Sequence, residues 1–94
     1  MVEFEWDANK AALNLSKHGV GFAEARMVFG DPLEVMISDP VHSAAELRFV
    51  SIGRSEVDRV LVVVYTERDH RIRIISAREP SPWERRQYES NGRS

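Results

Sequence analysis

The run Val60-Leu61-Val62-Val63-Val64 is apolar at both odd and even positions. That is the pattern of a strand covered on both faces, and it predicts the centre of a sheet. Three other segments, Leu33 to Ser38, Leu47 to Ile52 and Arg71 to Ala77, carry strand-forming residues between turn formers. With Val60 to Thr66 they make four consecutive strands, and short connections between them favour antiparallel neighbours. Ahead of them Glu3 to Trp6 reads as a short aromatic strand. Asp7 then caps a helix from Ala8 to Lys17, whose expected packing stripe is Leu13 and Leu15 with Ala11 and Ala12. His18-Gly19 stops it, glycine supplying the left-handed residue. A second helix is expected from Phe22 to Phe29, ended by Gly30-Asp31-Pro32. Beyond the strands, Ser81-Pro82-Trp83-Glu84 has a cap, a first-turn proline and a capping-box glutamate, starting a last helix that runs to about Ser90. Its apolar anchors are few, chiefly Trp83 and Tyr88. The expected fold is α+β: a twisted, mainly antiparallel sheet of about four to five strands, two N-terminal helices and one C-terminal helix, the helices on one face.

Ninety-four residues, 43% of them apolar and 30% charged, suit one domain over 1–94 with a core of its own. The absence of cysteine removes disulfides, thiolate metal sites and a cysteine nucleophile. The first residues carry acids where a secretory signal is basic, and the stretch Val60 to Tyr65 is too short to cross a bilayer, so a cytoplasmic protein is expected.

Charge changes the picture by its distribution. The total is −2, yet residues 48–94 are net +3, and eleven of the thirteen basic residues are arginine. The arginine fork matches phosphate oxygens two at a time, so a phosphate-bearing partner is one expectation and ordinary solvated ion pairs are the other. A glycine-rich phosphate loop, a paired-histidine zinc motif and a nucleophile-elbow serine are all missing. The three histidines are too scattered for a metal spacing, and no cofactor is expected.

Taken in order, several strings resemble the BrnT family of toxins. In the first half they are Phe4-Glu5-Trp6-Asp7 with Lys10, Asn14-Leu15, Lys17-His18-Gly19-Val20, Phe22, Glu24-Ala25, Val28-Phe29 and Asp31-Pro32. In the second half they are Arg48, Ile52-Gly53, Leu61 to Arg68, Arg73 to Arg78, Glu84-Arg85 and Tyr88. The resemblance covers nearly the whole chain. It implies a RelE-like fold and the toxic half of a type II toxin–antitoxin pair: an endoribonuclease that inhibits translation by RNA cleavage. The implied partner is a BrnA-like ribbon-helix-helix antitoxin, through which alone operator DNA would be reached. With a pI near 5.9, affinity for RNA has to come from local clustering of the arginines.

Metal-independent RNA cleavage needs a group to take the 2′-hydroxyl proton, cations for the charge that builds on phosphorus, and an acid for the leaving oxygen. Arg73, held on a strand between Ile72 and Ile74, is the leading cation, followed by Arg78. His18 and Glu67 are the candidate proton-transfer groups, with His70 behind them. Lys17, Arg54, Arg68 and Arg71 are the expected RNA-binding residues. Each has a plain structural alternative: His18 as a cation at a helix C-terminus, Glu67 and His70 as exposed turn residues, Arg73 as half of a cross-strand ion pair. His42 reads as a loop residue. A hairpin with the two-residue loop Arg68-Asp69 would pair Glu67 with His70 and set Arg71 and Arg73 on the face of Thr66 and Val64; Arg-Asp is not a preferred two-residue loop, and a longer loop would change this pairing. Two functions stay open, the ribonuclease and a non-catalytic small α/β module that binds protein or nucleic acid.

Overall fold

The computed structural model describes residues 2–38 and 47–91; His42 lies outside them. The elements in chain order are β1 (Glu3–Glu5), α1 (Ala8–His18), α2 (Phe22–Arg26) running on into a 3-10 turn (Met27–Gly30), β2 (Val35–Ser38), β3 (Phe49–Arg54), β4 (Val60–Arg68), β5 (Arg71–Arg78) and α3 (Pro82–Asn91). The five strands form one sheet in the order β1-β5-β4-β3-β2. β2 to β5 pair antiparallel, whereas β1 joins the far edge parallel to β5. The sheet is therefore mixed, with β4 at its centre.

Helices cover both faces, in contrast to the one-sided cover expected. Strand β4 explains why: Leu61 and Val63 project to one side and Val60 and Val62 to the other, all 2% exposed or less, so each side needs a lid. On the first face Leu61, Val63, Ile74 and Ala77 pack under Val20, Phe22, Ala25 and Val28, with Phe4, Trp6, Ala11, Phe29 and Ile72 at the margin. On the second, Val50, Ile52, Val60 and Val62 pack with Tyr88 of α3, flanked by Val35, Ile37 and Val64.

The helices are fixed at their ends as the sequence suggests. The Asp7 side chain accepts from the Lys10 N–H, and Gly19 takes φ 69° after His18. The stripe on α1 differs from expectation. Leu13 and Leu15 are exposed, and the helix meets the sheet through Ala11 and the buried Asn14. The Asn14 amide donates to the carbonyls of Val20 and Ala77 at 2.9 and 2.8 Å, and its oxygen accepts from the Ala77 N–H at 3.1 Å. A polar residue replaces the leucines there because β5 beyond its short pairing with β1 offers unpaired backbone groups that need partners. On β3, Gly53 lets the 3-10 turn approach: a Cβ there would stand 2.8 Å from Val28 Cγ1.

Candidate functional site

The hairpin between β4 and β5 sets the site's register. Asp69 and His70 both adopt positive φ, 49° and 66°, the left-handed pair that a two-residue turn needs to match the strand twist. Aspartate and histidine tolerate that region better than most side chains. The loop is thus Asp69-His70 rather than Arg68-Asp69, and Glu67 faces Ile72 rather than His70. The correction slides β5 by two positions and leaves the faces as expected: Arg71 opposes Arg68 and Arg73 opposes Thr66, while Glu67 lies on the other side.

A bulge then brings the remaining arginine of β5 to the same face. Tyr65 pairs with Ile74 but Val64 pairs with Ser76, so Ile75 is an extra residue on β5. Without it Arg78 would project toward Asn14; with it Arg78 opposes Val62 on the α3 face. Because α3 lies over β3 and β2, the β5–β1 half of this face leaves Arg71 and Arg73 partly exposed, their side chains at 53% and 32%.

Carboxylates meet them from both sides. The pattern Glu3-Phe4-Glu5 on β1 lies register for register beside Arg71-Ile72-Arg73. Arg73 Nη1 donates to Glu5 Oε2 at 2.9 Å, Arg71 Nη1 lies 3.5 Å from Glu5 Oε1, and Arg71 Nε donates to Glu3 Oε2 at 3.2 Å. The hydrogen bond from Arg73, aided by Arg71, holds the Glu5 carboxyl below the usual carboxylate range. At the other end of β5, Arg78 grips Glu84 with both terminal nitrogens at 2.7 and 2.8 Å. Chiefly through Arg78, and with the Ser81 N–H also donating, the Glu84 pKa falls to about 2. Arg73 is thus part of a cross-strand ion pair, and Arg78 is the latch of α3.

Arg54 stands at the far end of β3, bonded to Asp58 at 2.8 Å, its guanidinium 5.9 Å from the Tyr88 ring. Tyr88 in turn donates to Asp31 at 2.6 Å, and Asp31 also accepts the Arg54 and Leu33 N–H groups. Burial works against the Asp31 charge, but these bonds outweigh it and its pKa is lowered. Lys17 and His18 end α1 over the first face, away from Arg73. Glu67, His70 and Arg71 line a shallow pocket of about 260 Å³ at the hairpin. A larger cavity of about 600 Å³, lined by Phe4, Met27, Phe29 and Ile72 with Arg26 at its rim, opens on the first face. Among the described residues no three histidine or acidic side chains gather as a metal-binding group would, and no helix is long and apolar enough to cross a membrane.

The cluster brought together is therefore Arg68, Arg71 and Arg73 with Glu3 and Glu5. Glu3 and Glu5 did not emerge from the sequence as site residues, although the matched alternation of Glu-Phe-Glu and Arg-Ile-Arg is a signal once β1 is known to lie beside β5. The parallel pairing itself has no local signature.

Comparison with known proteins agrees with this architecture. The family model for the BrnT ribonuclease toxin of type II toxin–antitoxin systems matches residues 6–84. The crystal structure of the Brucella abortus ribonuclease toxin BrnT is similar in fold, with a TM-score of 0.63 at 23% identity over 86% of this chain and 99% of that one. No curated protein sequence gives a match. A family match spanning most of the chain, on a three-helix, five-strand fold like that of a solved BrnT, places this chain in the BrnT family of ribonuclease toxins of type II toxin–antitoxin systems.

Proposed function

We propose that this chain is a metal-independent endoribonuclease that inhibits translation by cleaving RNA in the cytoplasm, on a fold of the RelE kind. A BrnA-like ribbon-helix-helix antitoxin neutralises it and links it indirectly to operator DNA. The observation that carries the reading is the cluster of Arg68, Arg71 and Arg73 on the open half of the sheet, held at spacings fixed by two strands rather than by a loop. Arg73 and Arg71 bind the scissile phosphate and stabilise its extra charge, Arg68 guides the neighbouring phosphate, and Arg78 acts where α3 meets the strand. Arg54 contacts the RNA farther out on this face, and Lys17, which ends α1 over the other face, meets it where the strand passes round the sheet edge. His18 and Glu67 serve proton transfer only if the RNA strand wraps round the sheet edge, because they stand on the opposite face from Arg73.

The ion pairs of Arg71, Arg73, Arg78 and Arg54 favour a second reading, a module that binds its partner without cleaving anything. Incubation of RNA with the purified chain in excess EDTA separates the two, with Arg73→Ala and His18→Ala alongside and folding checked by circular dichroism. Cleavage that survives chelation and falls at least about 100-fold in folded Arg73→Ala is expected of the enzyme. Binding that weakens in Arg73→Ala, with no product from any chain, marks the module.

A further inference from the structure

We propose that Glu5 is the general base of this site, the group that removes the 2′-hydroxyl proton when RNA is cleaved; the inference rests on the ribonuclease reading above. Glu5 is the one carboxylate among the described residues that faces two arginines of the open cluster, one on each oxygen: Arg73 on Oε2 at 2.9 Å and Arg71 near Oε1 at 3.5 Å. Its side chain is 29% exposed, so strand pairing and neighbours fix its position while an edge stays open to a ligand. The other carboxylates are placed differently. Glu3, 69% exposed, is paired with Arg71. Glu84 is closed between Arg78 and the Ser81 N–H, and Glu67 lies on the far face.

The charged groups around Glu5 are Glu3 on its own strand, Arg71 and Arg73 on β5, Arg68 across the hairpin on β4, and Arg26 of α2, which lines the same shallow pocket as Glu5 and Arg71. Before RNA arrives these arginines keep Glu5 ionised and aligned. A phosphodiester entering the cluster draws the Arg71 and Arg73 forks onto its non-bridging oxygens. Glu5 then loses hydrogen bonds that favoured its charged form, and its basicity rises at the moment a proton has to be taken. The 2′-oxygen forms a bond to phosphorus as its proton passes to Glu5, and the bond from phosphorus to the 5′-oxygen breaks, leaving a 2′,3′-cyclic phosphate. The 5′-oxygen takes a proton from solvent water, and the hydroxide so formed is neutralised by the proton Glu5 returns.

The test compares the wild-type chain with Glu5→Gln, Glu5→Asp and Arg73→Ala. Cleavage of an RNA oligonucleotide is followed as a function of pH, and binding is measured on the same oligonucleotide carrying 2′-O-methyl groups, which cannot react. Glu5→Gln should lower kcat at least about 100-fold, bind the 2′-O-methyl strand as tightly as wild type or tighter because the arginines are released, and lose the acid limb of the pH profile. Glu5→Asp should keep the acid limb at a reduced rate. Arg73→Ala should lose binding as well as rate. Cleavage by Glu5→Gln within about threefold of wild type, or an acid limb unchanged in that variant, overturns the role of Glu5 and leaves the ribonuclease standing. A wild-type chain that binds the 2′-O-methyl strand but never cleaves the hydroxyl strand overturns the ribonuclease reading, and the role of Glu5 with it.

Discussion

Asn14 ties three parts of the chain together through one buried side chain. It closes three hydrogen bonds between α1, the chain at Val20 and the backbone of Ala77, all out of water. Replacement by alanine strands one donor and two acceptors, each costing part of its full desolvation, so Asn14→Ala should lower the unfolding free energy by about 2–4 kcal/mol in urea titration. Asn14→Leu, though more apolar, should do no better, which distinguishes lost hydrogen bonds from lost packing. At this scale sequence reasoning was weakest. Leu13 and Leu15 have the stronger hydrophobic signal but face outward, because the decisive partner is a length of β5 backbone that no side-chain pattern displays. The place of Arg73 on a strand was legible because it has apolar neighbours on both sides. Its carboxylate partner was not, since an ion pair spanning 68 positions leaves nothing to see in either local string.

Elements were far more legible than contacts. Asp7, Gly19 and the Ser81-to-Glu84 box mark helix ends by backbone chemistry that acts within four residues, and the structure ends its helices there. The all-apolar strand was recognisable as central because both its parities need burial; which helix covers which side depends on the path of the whole chain. Helix α3 illustrates the difference. Trp83, one of its two expected anchors, is 53% exposed, and the helix is held by Tyr88 together with the polar bonds of Glu84 and Asn91. Because the folded Glu84 pKa, about 2, lies below its ordinary 4.5, the Arg78 pair contributes fully above pH 4.5 and is lost as pH falls toward 2. Solvent screening of Arg78 reduces that contribution to about 1–2 kcal/mol. Hydrogen exchange should therefore quicken across α3 before the sheet as pH is lowered through this window. Glu84→Gln should show the quicker exchange already at pH 7, with little further change on acidification.

For the whole molecule, charge matters through its placement. The chain is acidic in total, yet Arg68, Arg71 and Arg73 share one end of one face. If three arginines displace counterions from single-stranded RNA, log affinity should fall against log salt with a slope of about −2, and removal of Arg73 should flatten it by about 0.7. Filter binding over a range of potassium chloride concentrations measures both. A slope near zero would mean that RNA is not held at this face. A long-range site of this kind also ties the molecule to the order in which it is made. Residues 3 to 5 are joined by the ribosome before residues 71 to 73, so a nascent chain carries Glu3 and Glu5 before it carries Arg71 and Arg73, the arginines that answer them. The parallel pairing of β1 with β5 therefore waits on synthesis: a chain that ends before residue 71 lacks the strand against which Glu3 and Glu5 are held.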